Sequence, residues 1–330
     1  MPGAVVVYRG LDDVPRDFGP SALSIGNFDG VHAAHRKILR RVRQVAVERG
    51  LKPSVLTFDP HPTKVVAPSR APRLMTTPDQ RCALMQGEGI AQVLILPFDR
   101  HVAELTPEQF IQQVLVDKLA VRAVLVGHDF RFGHKQAGNV AVLEELGPKY
   151  GFTTEVVDAM TLRGHLVSST ALRHMIAKGQ VHQAARLLER AYSLEGEVVP
   201  GRGVGAAQTV PTLNLRTTTE VLPALGVYVT RTHDLDDGRV WPSVTNVGRR
   251  PTFDDGGGIS IETFLLGPLA GSSPRRIRVD LLWRLREERK FPSPQALKQQ
   301  ILRDAARAQA YFRRLQKWTC RSVFPADSVA

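Results

Sequence analysis

The chain has 330 residues, a formal net charge of +12 and 43% apolar residues, which gives room for two domains of ordinary size and is the apolar content of a globular protein. Its two cysteines, Cys82 and Cys320, lie far apart in sequence, which excludes a disulfide scaffold or a cysteine metal cluster and points to a reducing cytoplasm. No apolar run is long enough to span a membrane, and the N-terminus lacks a basic-then-apolar leader, so no membrane association is expected.

In chain order, Ser21-Ala22-Leu23-Ser24-Ile25 reads as a buried strand. Ile38, Leu39, Val42, Val45 and Ala46 then follow helical spacing towards Gly50. Ser54-Val55-Leu56-Thr57-Phe58 is a second strand. Thr77-Pro78-Asp79-Gln80 carries an N-cap, a first-turn Pro and a capping-box Gln. Val93-Leu94-Ile95-Leu96 is a third strand, and Thr106-Pro107-Glu108-Gln109 repeats the capping pattern ahead of Phe110, Ile111, Val114 and Leu115. Ala123-Val124-Leu125-Val126 and Thr153-Thr154-Glu155-Val156-Val157 complete five strands alternating with helices, the pattern of a doubly wound parallel sheet. Two short helices are expected at 169–178 and 181–190. Character then changes: 194–199, 226–231, 240–247 and 259–266 are β-rich with Gly and Pro punctuation, as in an antiparallel barrel or sandwich. A last helix from Ser293-Pro294 aligns Leu297, Ile301, Ala305, Ala308, Phe312 and Leu315 on one stripe. Residues 271–321 hold 14 Lys/Arg against 4 Asp/Glu, but these alternate with core positions, so a solvated face is expected rather than a nucleic-acid surface.

Several of these junctions carry chemistry. Gly26-Asn27-Phe28-Asp29-Gly30-Val31-His32-Ala33-Ala34-His35 forms the first strand-to-helix turn. Its two glycines let backbone approach a phosphate, and the helix N-terminus adds N–H donors. His32 and His35, three apart, point the same way and can donate to charge growing on transferred and leaving phosphates. The plain alternative is a solvated helix cap. Asp59-Pro60-His61-Pro62 and Gly127-His128-Asp129-Phe130 end two other strands, and ligands of such sheets gather at that edge. Ser168-Ser169-Thr170 at a helix start, with Arg173 one turn on, can hold phosphate oxygens, or can be a simple cap with a surface Arg. Gly201-Arg202-Gly203-Val204-Gly205 can wrap a polyphosphate, although a hairpin has the same composition. Thr212 and Asn214 alternate on one strand face, so their oxygens can reach one cation, and Mg²⁺ with substrate phosphates suits that donor set. Glu262, in a strand, can accept a proton from an attacking hydroxyl, or face solvent.

The ordered runs GNFDGVHAAH, TFDPHP at 57–62, VGHDFRFG at 126–133 and SSTALR at 168–173 resemble bacterial bifunctional riboflavin kinase/FMN adenylyltransferases (FAD synthetases). Pro211-Thr212-Leu213-Asn214, Asn246-Val247-Gly248 with Arg250-Pro251-Thr252-Phe253, and the strand Glu262 resemble the kinase module of that family. The resemblance implies an α/β fold: a doubly wound, Rossmann-like nucleotidyltransferase domain over 1–187, then an antiparallel β-barrel kinase domain over 188–320 with a long C-terminal helix, and a loose tail at 321–330. It implies riboflavin, FMN and ATP as substrates, Mg²⁺ as cofactor, a cytoplasmic location and no obligate protein partner. By the same resemblance His32, His35 and Glu262 are catalytic. Gly26, Asn27, Phe28, Gly30, Ser169, Thr170, Arg173, Gly203, Gly205, Thr212 and Asn214 bind ATP, the last two also holding the metal. His61, Asp129, Phe130 and Arg131 face the flavin. The chain departs from the family pattern at Ala34, Val204, Gln208-Thr209-Val210 and Leu213. An adenylyltransferase with an inactive kinase half, and a flavin- or RNA-binding regulator, are the other readings.

Overall fold

The computed structural model describes residues 4–200, 212–249, 258–269 and 271–319, which fall into two compact units, Met1–Ala171 and Leu172–Ala330. In the first unit, β1 (Val6–Tyr8), β2 (Ser21–Ile25), β3 (Lys52–Asp59), β4 (Gln92–Pro97), β5 (Val121–Gly127) and β6 (Thr153–Val157) form one sheet in the order β1-β4-β3-β2-β5-β6. Every neighbouring pair is parallel. The connections carry α1 (Ala33–Arg49), α2 (Pro62–Val66), α3 (Pro78–Gly87), α4 (Arg100–Glu104), α5 (Pro107–Gln109) and α6 (Val140–Tyr150). A small hairpin, β7 (Thr161–Leu162) and β8 (His165–Leu166), follows.

Strand alternation explains why the runs are continuously apolar. Leu23, Ile25, Leu94, Leu96, Val124 and Val126 enter one core, while Ala22, Val55, Val93, Ile95, Ala123 and Leu125 enter another. Both faces of the sheet are therefore covered. Helix starts follow the sequence closely. Thr77 and Gln80 exchange both capping-box bonds (2.9 and 3.3 Å), and so do Thr106 and Gln109 (2.9 and 3.2 Å). The chain winds outward from β2 through β3 to β4, then returns to β5 on the other side of β2. That reversal opens a crevice between the carboxyl ends of β2 and β5.

Helix α7 (Ser169–Ala177) starts at the end of the first unit. The second unit contains α8 (Val181–Leu188), strands β9 (Tyr192–Val199), β10 (Thr212–Thr217), β11 (Gly226–Asp234), β12 (Val240–Arg249), β13 (Ile259–Leu265) and β14 (Arg276–Glu287), and α9 (Pro294–Thr319). The six strands close an antiparallel barrel in the order β10-β13-β12-β11-β14-β9, the architecture that the family resemblance implies and one of the two that the sequence pattern allows. Closure needs Gly196, since a side chain there would run into the Arg216 carbonyl on β10. Inside, Leu194, Leu213, Leu265, Ile277, Val279 and Leu281 are buried. They share the interior with a chain of hydroxyls: Thr232–Ser243, Ser243–Thr230 and Thr230–Thr245 at 2.8 Å, and Thr245–Thr263 at 3.0 Å. Each buried hydroxyl would be costly without such a partner.

Outside the barrel, α9 lays Ala308, Phe312 and Leu315 over Val227, Val229 and Val244. The expected apolar stripe is real at this end of the helix. It fails at Leu297, which is 37% exposed: at that end the buried residues are Gln300 and Asp304, which accept from Arg289 and Arg286. Strand β1 was not expected from the sequence: three residues with Val6 half-exposed carry little periodicity. Residues 201–211, with Gly203 and Gly205, and the tail 321–330 lie outside the described residues.

Candidate active sites

A cavity of about 1020 Å³ opens at the carboxyl edge of the first unit's sheet. Gly26, Asn27, Phe28, His32, His35, His61, Asp129, Phe130, Arg131 and Ser169 all line it, as do Ala34, Phe58 and Phe132. Thus three motifs far apart in sequence meet at the crevice that the strand order creates. Gly30 lies beneath the wall, its N–H donating to Thr76 Oγ1 at 3.0 Å. Thr170 is exposed and Arg173 half-buried, the latter in the second unit.

The turn after β2 is held in an uncommon conformation. Phe28 (φ 49°), Gly30 (φ 78°) and Val31 (φ 38°) all sit in the left-handed region. For Phe and Val this costs energy that surrounding contacts must offset. Phe28 and Val31 are buried in the α1-side core. Asp29, 2% exposed, accepts at Oδ1 from Met75 N (2.9 Å), Thr76 N (3.1 Å) and the Thr76 hydroxyl (3.1 Å). The Asn27 carbonyl accepts from Arg81 Nη1 at 2.6 Å and from the Thr57 hydroxyl at 3.3 Å. Asn27 Oδ1 is buried and has no hydrogen-bond partner among the described residues, so a donor-bearing ligand has an acceptor there.

His32 is the N-cap of α1, its Nδ1 accepting from His35 N at 3.3 Å. An imidazole that accepts at Nδ1 carries its proton on Nε2, so His32 presents an N–H donor by its other nitrogen. Its ring stacks on that of His35 with centroids 3.6 Å apart, and Phe28 meets His35 edge-on at 5.0 Å. His61 also caps a helix: its Nδ1 accepts from Thr63 N at 3.2 Å at the start of α2. Phe130 and Phe132 stack at 5.5 Å. Phe132 is 8% exposed and packs on Phe110, which leaves Phe130 the more accessible ring.

At the start of α7, Ser168 Oγ accepts from Ala171 N at 3.2 Å, and the Ser169 hydroxyl donates to the Asp29 carbonyl at 3.0 Å. The Ser169 proton is therefore engaged in tying α7 to the turn. The exposed Thr170 hydroxyl and the first backbone N–H groups of α7, apart from that of Ala171, are donors of the kind that can bind an anion.

In the second unit, register assembles another cluster. Glu262 on β13 pairs directly with Asn214 on β10 and with Asn246 on β12. Leu213 and Leu215 point inward, so Thr212 and Asn214 face outward with Glu262. Asn246 was not singled out as a site residue from the sequence, because spacing alone cannot show strand pairing. Beyond it, Glu288 Oε1 accepts from Arg249 N at 3.1 Å. Among the described residues no three His, Cys, Asp or Glu side chains form a metal cage. The Thr212 and Asn214 oxygens with an adjacent carboxylate fit a hard cation that is bound mainly through substrate phosphates.

A family model for FAD synthetase matches residues 15–171, and one for riboflavin kinase matches residues 188–312. The bifunctional riboflavin kinase/FMN adenylyltransferase of Pseudomonas fluorescens is 37% identical over 92% of this chain and 97% of its own. That of Haemophilus influenzae is 36% identical over 93% of this chain and 99% of its own. Among solved structures, one described as a macrolide-efflux protein from Streptococcus pneumoniae superimposes with a TM-score of 0.81 at 23% identity. It covers 93% of this chain and 99% of its own, a likeness of fold.

Proposed function

The chain belongs to the bifunctional riboflavin kinase/FMN adenylyltransferase family, and we propose that each of its two reactions is carried by one of the two clusters described above. The enzyme phosphorylates riboflavin with ATP to give FMN, then joins FMN to the AMP part of ATP, giving FAD and pyrophosphate. Adenylyl transfer belongs to the cavity of the first unit. The observation that carries this assignment is the convergence of the stacked His32–His35 pair, His61 and the 129–131 loop on one 1020 Å³ cavity at the β2–β5 crevice.

An FMN phosphate oxygen attacks the α-phosphorus of ATP in line, and the bond from that phosphorus to the bridging oxygen of pyrophosphate breaks. His32 Nε2–H and His35 donate to the oxygens on which negative charge grows. Gly26, Asn27, Phe28 and Gly30 shape the nucleotide wall. The start of α7, with Ser169, Thr170 and Arg173, holds the departing phosphates. His61, Asp129, Phe130 and Arg131 flank the flavin, with Phe130 as the stacking ring.

Riboflavin phosphorylation belongs to the barrel. Glu262 accepts the proton of the ribityl 5′-hydroxyl as that oxygen attacks the γ-phosphorus and ADP leaves. Gly203 and Gly205, outside the described residues, are assigned to the ATP phosphates on the family resemblance alone. Thr212 and Asn214 would hold Mg²⁺, which supplies neutralisation of phosphate charge when bound. Both reactions rely on positioning and charge neutralisation rather than on covalent intermediates. The two widely separated cysteines support a cytoplasmic setting.

The direct experiment gives the purified chain riboflavin, ATP and Mg²⁺ and resolves the flavins over time. FMN is expected first and FAD after it. Conversion of FMN but not of riboflavin would withdraw the barrel assignment.

A further inference from the structure

Arg81 is 3% exposed and lies in the first turn of α3. Its Nη1 donates to the Asn27 carbonyl (2.6 Å) and Thr57 Oγ1 (3.0 Å), and its Nη2 to the Phe58 carbonyl (3.2 Å). These acceptors stand at the carboxyl ends of β2 and β3, where a parallel ladder runs out of partners. Asn27 and Phe58 both line the cavity, so the guanidinium sits immediately behind its wall. It makes no ion pair among the described residues. Burial pushes its pKa down, and Asp29 and Asp59 oppose that shift from a distance. Asp29 Oδ1 is itself taken by the 75–76 backbone and the Thr76 hydroxyl. A buried cation bound only to carbonyls and a hydroxyl is expensive, and two Asp and two carbonyl oxygens would otherwise present negative charge to an incoming polyphosphate.

We propose that Arg81 is a positioning residue of the adenylyl-transfer site: its fork fixes the Asn27 end of the turn, and its charge offsets the negative strand edge behind the nucleotide phosphates. This rests on the assignment of the cavity to ATP and FMN. A purely structural brace would affect all adenine ligands alike. A charge behind the phosphates acts in proportion to phosphate number.

The test uses the full chain and follows FMN adenylylation, with inhibition constants for adenosine, AMP and ADP and the KM for ATP. In Arg81→Met, adenosine inhibition changes less than about threefold while the KM for ATP rises at least ~10-fold, with AMP and ADP between, as expected for one unit charge a few ångströms away. Arg81→Lys restores the dependence on phosphate number but keeps kcat about tenfold low, because an ammonium cannot hold two carbonyls in one plane. Equal weakening of all four ligands in Arg81→Met, or no weakening, overturns the proposal. Should that variant not fold, Arg81→Lys decides, and an unaltered kcat there overturns it. Circular dichroism and thermal unfolding of the same preparations report folding, because Arg81 lies in the first unit and riboflavin phosphorylation belongs to the second. His35→Ala separates the two levels: if it leaves FMN adenylylation intact, the cavity assignment has failed whatever Arg81 does.

Discussion

Glu262 stands directly opposite Asn214 across the β10–β13 ladder, on the outward face of the barrel. The pair sets a carboxylate one strand away from a neutral amide oxygen, the arrangement that the proposed phosphorylation of a hydroxyl would use. Glu262→Gln keeps the shape and removes the base. Riboflavin phosphorylation is expected to fall by ~10²–10⁴-fold, with riboflavin binding changed much less. Asn214→Ala is expected to raise the Mg²⁺ concentration needed for half-maximal rate. FMN adenylylation serves as the control in both. A full-rate kinase in Glu262→Gln would remove Glu262 from the chemistry.

Arg173 lies one turn into α7, after Ser169 and Thr170. Replacing it with Lys keeps the charge but not the planar fork. The expected outcome is a raised KM for ATP in FMN adenylylation, with riboflavin phosphorylation unaffected. ATP saturation curves for the two reactions check this, and superimposable curves for FMN adenylylation would exclude the residue.

Helix α8 belongs with the barrel, packing on β14 and β9. It buries Val181, Ala184, Leu187 and Leu188, and His182 lies on Trp283 with ring centroids 4.5 Å apart. A fragment of residues 172–330 is therefore expected to fold and convert riboflavin to FMN but not to FAD. Cutting at 188 removes α8 and should cost at least about 3 kcal/mol, since each buried aliphatic side chain contributes roughly 1.5–3 kcal/mol. Urea unfolding of the two fragments measures the difference.

Asp280 gives the barrel a dependence on acid. Burial raises the carboxyl, but bonds from His233 Nε2 and Ser193 Oγ (both 2.8 Å) and from Arg278 Nε (3.1 Å) outweigh it and leave the pKa below its ordinary value. A carboxyl depressed by folding stabilises fully above its unfolded pKa and loses that contribution as pH falls through the folded one. The loss thus lies below about pH 4, the unfolded carboxyl's range. Asp280→Asn should be less stable than wild type at pH 7, and the gap should narrow on acidification. Unfolding midpoints from pH 7 to pH 2.5 test this, and a constant gap would contradict it.

Elements whose signal is local were readable in the sequence. Thr77–Gln80 and Thr106–Gln109 announce their helices, and the apolar runs at β2 to β5 announce strands buried on both faces. The cavity was readable as far as three motifs ending three strands of one sheet. What escaped depends on non-local pairing. Asn246 joins Glu262 and Asn214 only through barrel register. Arg81 follows a capping box and reads as a surface helix residue, but its partners come from the ends of two distant strands. The hydroxyl chain inside the barrel likewise arises from facing strands, each of which alone shows ordinary Thr and Ser.

The His32–His35 pair is proposed to serve adenylyl transfer and not riboflavin phosphorylation, and one chromatogram tests it. Full-length His32→Ala and His35→Ala are each incubated with riboflavin, ATP and Mg²⁺, and the flavins are resolved over time. Each variant is expected to form FMN at the wild-type rate and FAD at least ~10²-fold more slowly, the scale of losing one transition-state donor, so that FMN accumulates. FAD appearing at the wild-type rate, or FMN and FAD lost together in a folded variant, would contradict the account.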